Sequence, residues 1–247
     1  MKKLLKDALF ENGAGLVGYA DILKLPHEMR YNFPVAVSIA VPLDPRIIYG
    51  IADSPTIEYW EEYQRANALL EALGKRTVNL LRNNGHQAKW LAPTIISTDS
   101  FTRTSVSYNP MTMSSLLPHK TAATLSGLGW IGKCALLVTR EFGSAVRLTT
   151  VLTDADLPPG KPAESSKCGS CVDCVEACPA HACSGRLWTA GITRESFFDA
   201  FACRKTAFEQ AARIGVHETI CGRCIAACPL TKKYLKRAGF TAHNHEK

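Results

Sequence analysis

Cys168-Gly169-Ser170-Cys171-Val172-Asp173-Cys174-Val175-Glu176-Ala177-Cys178-Pro179 is the stretch that decides how this 247-residue chain is read. Its spacing is C-x2-C-x2-C-x3-C-P, the run with which bacterial two-cluster ferredoxins hold their cubanes, the fourth cysteine serving the other cluster. Three thiolates within a tight turn can cap one face of a cubane. The fourth, carried away on the segment that follows, reaches a second cube. Pro179 removes a backbone donor and fixes the direction of the chain there.

A second motif lies downstream: Cys221-Gly222-Arg223-Cys224-Ile225-Ala226-Ala227-Cys228-Pro229. It has three cysteines where the first has four, so another residue must complete the set. Cys203, between the motifs, is the best candidate. The expected assignment is Cys168, Cys171, Cys174 and Cys228 on one [4Fe–4S] cluster, with Cys178, Cys203, Cys221 and Cys224 on the other. Two zinc sites are the competing reading, since C-x2-C pairs also suit zinc. The doubled Cys-Pro signature and nine cysteines between positions 168 and 228 favour iron–sulfur clusters. Of the remaining two of the ten cysteines, Cys183 reads as a small buried hydrophobe, and Cys134 either packs or alters a cofactor's surroundings.

Composition bounds the rest. Apolar residues make up 46% and charged residues 21%, as in a globular chain. No apolar run approaches the roughly 18 residues of a membrane span. The start, Met1-Lys2-Lys3-Leu4-Leu5-Lys6-Asp7, lacks the apolar core of a secretory signal, so the expected location is the cytoplasm. The formal charge is +7; two clusters at about −2 each bring it to about +3. With no dense basic block, the charge argues little for nucleic acid.

Residues 1–155 read as an α/β unit. Strands are expected at 15–19, 35–41 and 88–91, and a long helix over 56–84, with Gly74 as an interruption and Gly85 as its C-cap. Residues 97–118 read as a long loop, 120–125 as a short helix, and 135–138 and 146–152 as strands paired around Gly143. Residues 154–167 read as a linker into a cysteine-rich part, 156–247, with a helix over 193–213.

Three stretches together resemble the epoxyqueuosine reductase family. They are Pro118-His119-Lys120-Thr121-Ala122-Ala123 through Gly127-Leu128-Gly129-Trp130-Ile131-Gly132-Lys133, then Leu152-Thr153-Asp154, then the two cysteine motifs with Cys203 between them. The resemblance covers most of residues 15–230. It implies an α+β chain: a nitroreductase-like, cobalamin-binding α/β domain followed by a two-cluster ferredoxin-like domain. It implies electrons passing from an external ferredoxin or flavodoxin, through two [4Fe–4S] clusters, to cobalamin, with reduction of a small or nucleoside-like substrate. Gly127, Leu128, Gly129, Trp130, Gly132 and Lys133 are the expected cobalamin contacts. Asp99, in Thr98-Asp99-Ser100 after Gly85-His86, is the expected proton donor, with His119 and Lys120 as further catalytic candidates. Full-length family members carry a C-terminal helical-repeat extension implicated in holding tRNA; this chain stops at Lys247, so a tRNA substrate is not expected. Cys134 stands where the family usually has Asn. The rival functions are a non-catalytic electron carrier that docks a partner enzyme, and a cobalamin-handling protein.

Overall fold

The computed structural model describes residues 1–93, 108, 109 and 111–240. Asp99 and much of the expected 97–118 loop lie outside them. The fold is mixed α/β, and the chain divides into two compact units, each discontinuous in sequence. The first comprises residues 1–41, 66–128 and 147–163, the second residues 42–65, 129–146 and 164–247.

The first unit opens with α1 (Lys2–Glu11), which buries Leu5, Ala8 and Leu9 on one stripe. Strands β1 (Leu16–Asp21) and β2 (Val35–Pro42) pair antiparallel, with Leu16 opposite Ala40. All six residues from Ala36 to Val41 are buried, which is why this segment reads as a continuous apolar run. Helix α3 (Ile57–Asn83), whose first nine residues belong to the second unit, follows α2 (Pro45–Tyr49). Ala66, Leu70, Leu73, Thr77 and Leu81 form its buried stripe. The expected interruption at Gly74 does not occur. A Cβ there would stand 2.3 Å from the Trp90 indole, so the glycine admits a ring against an unbroken helix. Gly85 does end the helix: it has φ +82°, and the His86 N–H reaches back to the Leu81 carbonyl at 3.1 Å.

Strand β3 (Ala88–Leu91) pairs antiparallel with β8 (Val146–Thr153), giving the sheet order β1-β2-β8-β3. Threonines bind this edge together. Thr149 donates to the Leu91 carbonyl and accepts from Trp90 Nε1, both at 2.8 Å, and Thr153 donates to the Gln87 carbonyl at 2.8 Å. Two-residue strands β4 (Tyr108–Asn109) and β5 (Ser114–Ser115) pair with each other, and α4 (His119–Leu125) follows. Residues 154–163 are pinned to this unit: Gly160 N–H donates to the Tyr19 carbonyl at 2.8 Å and Ala163 N–H to that of Thr124 at 2.9 Å.

In the second unit β6 (Trp130–Ile131) pairs with β7 (Leu137–Val138). The expected pairing of 135–138 with 146–152 is therefore replaced: β7 turns back onto the glycine-rich stretch, while β8 joins the four-stranded sheet. The expected helix over 193–213 is also divided. A 3-10 turn (Arg194–Ser196) precedes α6 (Ala200–Ala212), and the Asp199 carboxylate caps α6 by accepting from Phe201 N and Ala202 N. Short helices α5 (Asp173–Glu176) and α7 (Arg223–Ala227) sit inside the cysteine motifs, and α8 (Pro229–Arg237) starts on Pro229. The Tyr234 hydroxyl donates to the Leu43 carbonyl at 2.9 Å, tying α8 to the start of this unit's sequence.

Gly74→Ala tests the Trp90 contact. Helix propensity alone would gain up to about 1 kcal/mol, but overpacking against a ring held by Thr149 costs about 1–3 kcal/mol. Urea denaturation should show net destabilisation, whereas Gly50→Ala, with φ −74° and its nearest neighbour at 3.5 Å, should be neutral or slightly stabilising.

Candidate functional site: a buried set of thiols

The first motif is a succession of tight turns. Cys171 N–H donates to the Cys168 carbonyl at 3.1 Å, α5 carries Cys174, and Cys178 N–H returns to the Val175 carbonyl at 3.3 Å. Lys133, only 4% exposed, donates from Nζ to the Cys171 carbonyl at 2.8 Å and so anchors the loop. The Cys171 thiol faces Asp173 Oδ1 at 3.1 Å. In the second motif α7 carries Cys224, and Cys228 is the joint between α7 and α8.

These turns bring the side chains together. Cys134, Cys178 and Cys183 form a buried cluster with Ala182, against which Cys174, Cys203, Cys224, Leu136, Val175 and Phe198 pack. Four of the eight expected ligands, from both motifs and α6, thus share one apolar core. Cys168 Sγ lies 3.7 Å from where a Gly132 Cβ would stand, as does Cys134 Sγ. No disulfide joins any of the ten cysteines, all of which lie among the described residues.

Cys174, Cys134, Cys183 and Cys221 do not ionise readily here. A hydrogen bond to Cys134, and then burial, push Cys174 far up. For Cys134 the Cys174 contact pulls down, but Cys224 and burial outweigh it and the net shift is strongly upward. Burial raises Cys183 and Cys221, with Cys178 adding to both. Thiols in such surroundings become thiolates when a metal replaces their protons. Among the described residues no group of three or more His, Cys, Asp or Glu is arranged to hold a metal ion. A cubane makes a different demand, one thiolate at each iron corner, and a sulfur-only donor set in an apolar core fits it better than any hard cation.

The burial of Cys183 agrees with its reading as a small hydrophobe, and Cys134 packs in the same core; what sequence reasoning did not foresee is the contact of Cys134 with Cys174 and Cys224. The signal was arithmetic: ten cysteines exceed the eight that two cubanes need.

The glycine string straddles the two units. Gly127, at φ +77°, follows α4 in a Schellman arrangement: its N–H donates to the Thr124 carbonyl at 3.1 Å and Leu128 N–H to that of Ala123 at 3.0 Å. A Cβ on Gly127 would stand 2.6 Å from the Lys161 carbonyl oxygen, and one on Gly129 2.2 Å from that of Val138. The chain's own backbone therefore accounts for both glycines. Trp130 is buried, and its indole Nε1 has no hydrogen-bond partner among the described residues. An orphaned donor in this string fits the amide-rich rim of a corrin.

His119 accepts at Nδ1 from the Thr150 hydroxyl at 2.9 Å and donates from Nε2 to the Ala92 carbonyl at 2.8 Å. A carbonyl only accepts, so the ring is the neutral Nε2–H tautomer. Burial drops its pKa to about 4; the Ala92 bond opposes the shift and Arg147 adds to it. Lys120 is the second residue of α4 and is half-buried. Asp99 lies outside the described residues.

No family model matches the chain. An epoxyqueuosine reductase from Bacillus cereus is 33% identical over 132 residues, 52% of this chain and 32% of that relative. The chain thus spans about a third of the length of the curated relative it matches. A reductive dehalogenase solved in a study of B12-dependent dehalogenation superposes with a TM-score of 0.68 at 16% identity, covering 95% of this chain and 33% of that one. An epoxyqueuosine reductase solved with an epoxyqueuosine-modified tRNA-Tyr stem loop superposes with a TM-score of 0.61 at 19% identity, covering 94% and 65%. At these identities the structural likeness establishes the fold.

The His119 pKa makes stability depend on pH with a definite sign. Between about 4 and 6.5 the unfolded chain takes up a proton at His119 that the folded chain refuses. The contribution is full above pH 6.5, falls as pH falls and is gone near pH 4, a span of about 3 kcal/mol. Urea unfolding at several pH values should show a shallower acid loss for His119→Gln than for the parent chain. Parallel profiles would remove His119 from the account.

Proposed function

For this epoxyqueuosine reductase-like chain we propose an iron–sulfur oxidoreductase that passes electrons through two [4Fe–4S] clusters to cobalamin and reduces a small or nucleoside-like substrate. The observation that carries this reading is the convergence of Cys174, Cys178, Cys203 and Cys224 in one apolar core. Cys168, Cys171, Cys174 and Cys228 hold one cluster, and Cys178, Cys203, Cys221 and Cys224 the other. When bound, the clusters supply one-electron transfer and the cobalamin a low-potential reducing centre.

The chain's own residues do the positioning. Lys133 fixes the first cluster loop through the Cys171 carbonyl. Trp130 would offer its unpaired indole N–H to the cofactor rim; Gly127, Leu128, Gly129, Gly132 and Lys133 are the further proposed contacts. His119, with both nitrogens engaged, holds Ala92 and Thr150 in place rather than moving a proton itself. Asp99 is then the proton donor, with Lys120 available to an anionic substrate group. Functionally, residues 1–155 serve cobalamin and substrate, and 156–247 form a ferredoxin-like cluster domain.

A nucleoside-like substrate agrees with the relatives named epoxyqueuosine reductase. The expectation against tRNA finds no support in them, since one was solved with a modified tRNA stem loop. The electron-carrier and cobalamin-handling readings gain no support from relatives named as reductases and dehalogenases. The external donor is a ferredoxin or flavodoxin. Among the described residues no helix is long and apolar enough to cross a membrane.

Anaerobic reconstitution with iron, sulfide and cobalamin tests the reading. About eight irons per chain with stoichiometric cobalt supports it; a full iron complement without retained cobalt defeats the reductase. Cys203→Ala should lower iron to about four while leaving one cubane visible by low-temperature EPR; eight retained irons would sink the ligand assignment.

A further inference from the structure

Helix α6 has two contrasting faces. Ala200, Ala207 and Ala211 are buried, and Ala202 and Cys203 pack against the thiol core. Opposite them, Phe201 is 55% exposed and Phe208 45% exposed. They stand seven residues apart, two turns along one stripe. With Arg204, Lys205, Glu209 and Thr219 they line an open groove of ≈ 350 Å³. Two large aromatics in water on one short helix are not explained by folding, because nothing among the described residues of the second unit covers them.

The face is also charged. Arg204 and Lys205 lie between the two rings and are exposed, and Glu209 alone opposes them on this stripe. Among the described residues neither cation makes an ion pair. Exposed aromatics with an arginine at their centre have the composition of a protein-docking patch, and the net positive charge selects an acidic partner.

What lies behind the face supplies the purpose. Cys203 sits on the far side of the same helix, and a helix with its side chains is only about 10 Å across. We infer that the Phe201–Arg204–Lys205–Phe208 face of α6 is the docking surface for an acidic one-electron carrier protein, which delivers electrons across α6 to the cluster held by Cys203. The inference rests on the cluster assignment above and adds the place of electron entry. Each encounter transfers one electron: the carrier is oxidised by one electron and the cluster reduced by one.

The test uses the whole reconstituted chain and two reductants, an acidic flavodoxin in its reduced form and titanium(III) citrate, a small molecule that needs no docking face. Stopped-flow absorbance follows cluster bleaching. In the parent chain the flavodoxin rate should fall as salt rises. The double variant Arg204→Glu/Lys205→Glu should slow flavodoxin at least about tenfold at low salt and leave the titanium(III) rate unchanged. Phe201→Ser/Phe208→Ser should slow flavodoxin without removing its salt dependence. Equal flavodoxin rates in parent and charge-reversed chains would overturn the docking surface while the titanium(III) arm still reported intact clusters. A parent chain that dimerises and falls apart on charge reversal would overturn it too, making the face a self-interface. Failure of titanium(III) to reduce anything, with no iron bound, would instead overturn the cluster reading and the docking surface with it.

Discussion

The second unit is organised around a buried set of thiols. Cys134, Cys178 and Cys183 are buried together, with Cys174, Cys203 and Cys224 against them. Left as thiols they behave as small hydrophobes and pack. Ionised without a countercharge they would be costly in that core. The proposed iron–sulfur centre would resolve the conflict by supplying positive charge where the protons leave, and the free energy of binding it would then be part of the free energy of folding. The Lys133 ammonium is engaged with the Cys171 carbonyl and steers the loop.

In the first unit the organising device is hydroxyls on β8. Thr149, Thr150 and Thr153 are all fully buried in a strand whose neighbours on the sheet are β2 and β3. Each reaches a named partner: the Leu91 carbonyl, His119 Nδ1 and the Gln87 carbonyl. Buried hydroxyls cost stability unless satisfied; satisfied, they lock β3, α4 and β8 into one arrangement. His119 is the hinge pin of that network, and its neutrality follows from its place in it.

Much of this was legible in the residues and some was not. Strand β2 announces itself by an unbroken apolar run between prolines, and α3 by a stripe repeating every three or four residues. That cysteines of both motifs come together follows from their spacing, and that Cys203 joins them follows from the ligand missing in the second motif. The pairing of β6 with β7 has no such signature, because two-residue strands carry no period to read. Nor does Cys134: one thiol outside the motifs looks like packing until the fold places it beside Cys174 and Cys224. Gly74 misleads in the opposite direction, since a glycine inside a helix suggests a break when its real partner, Trp90, is a tertiary neighbour. The division before α6 was visible in principle: Asp199 is a good N-cap.

The second unit is drawn from segments far apart in the chain; the Tyr234–Leu43 hydrogen bond alone spans 191 positions. During synthesis the first motif emerges well before the second. At about 5–20 residues per second, the roughly 50 residues between Cys178 and Cys228 take on the order of 3–10 s. For that interval half of the thiol set is exposed, reactive toward oxidants and adventitious metals, with its partners not yet made. Contacts of such sequence separation also form slowly once the chain is complete. Loading of the proposed clusters would therefore be a late event in the life of this chain, and its yield would depend on how well the cell shields those early cysteines.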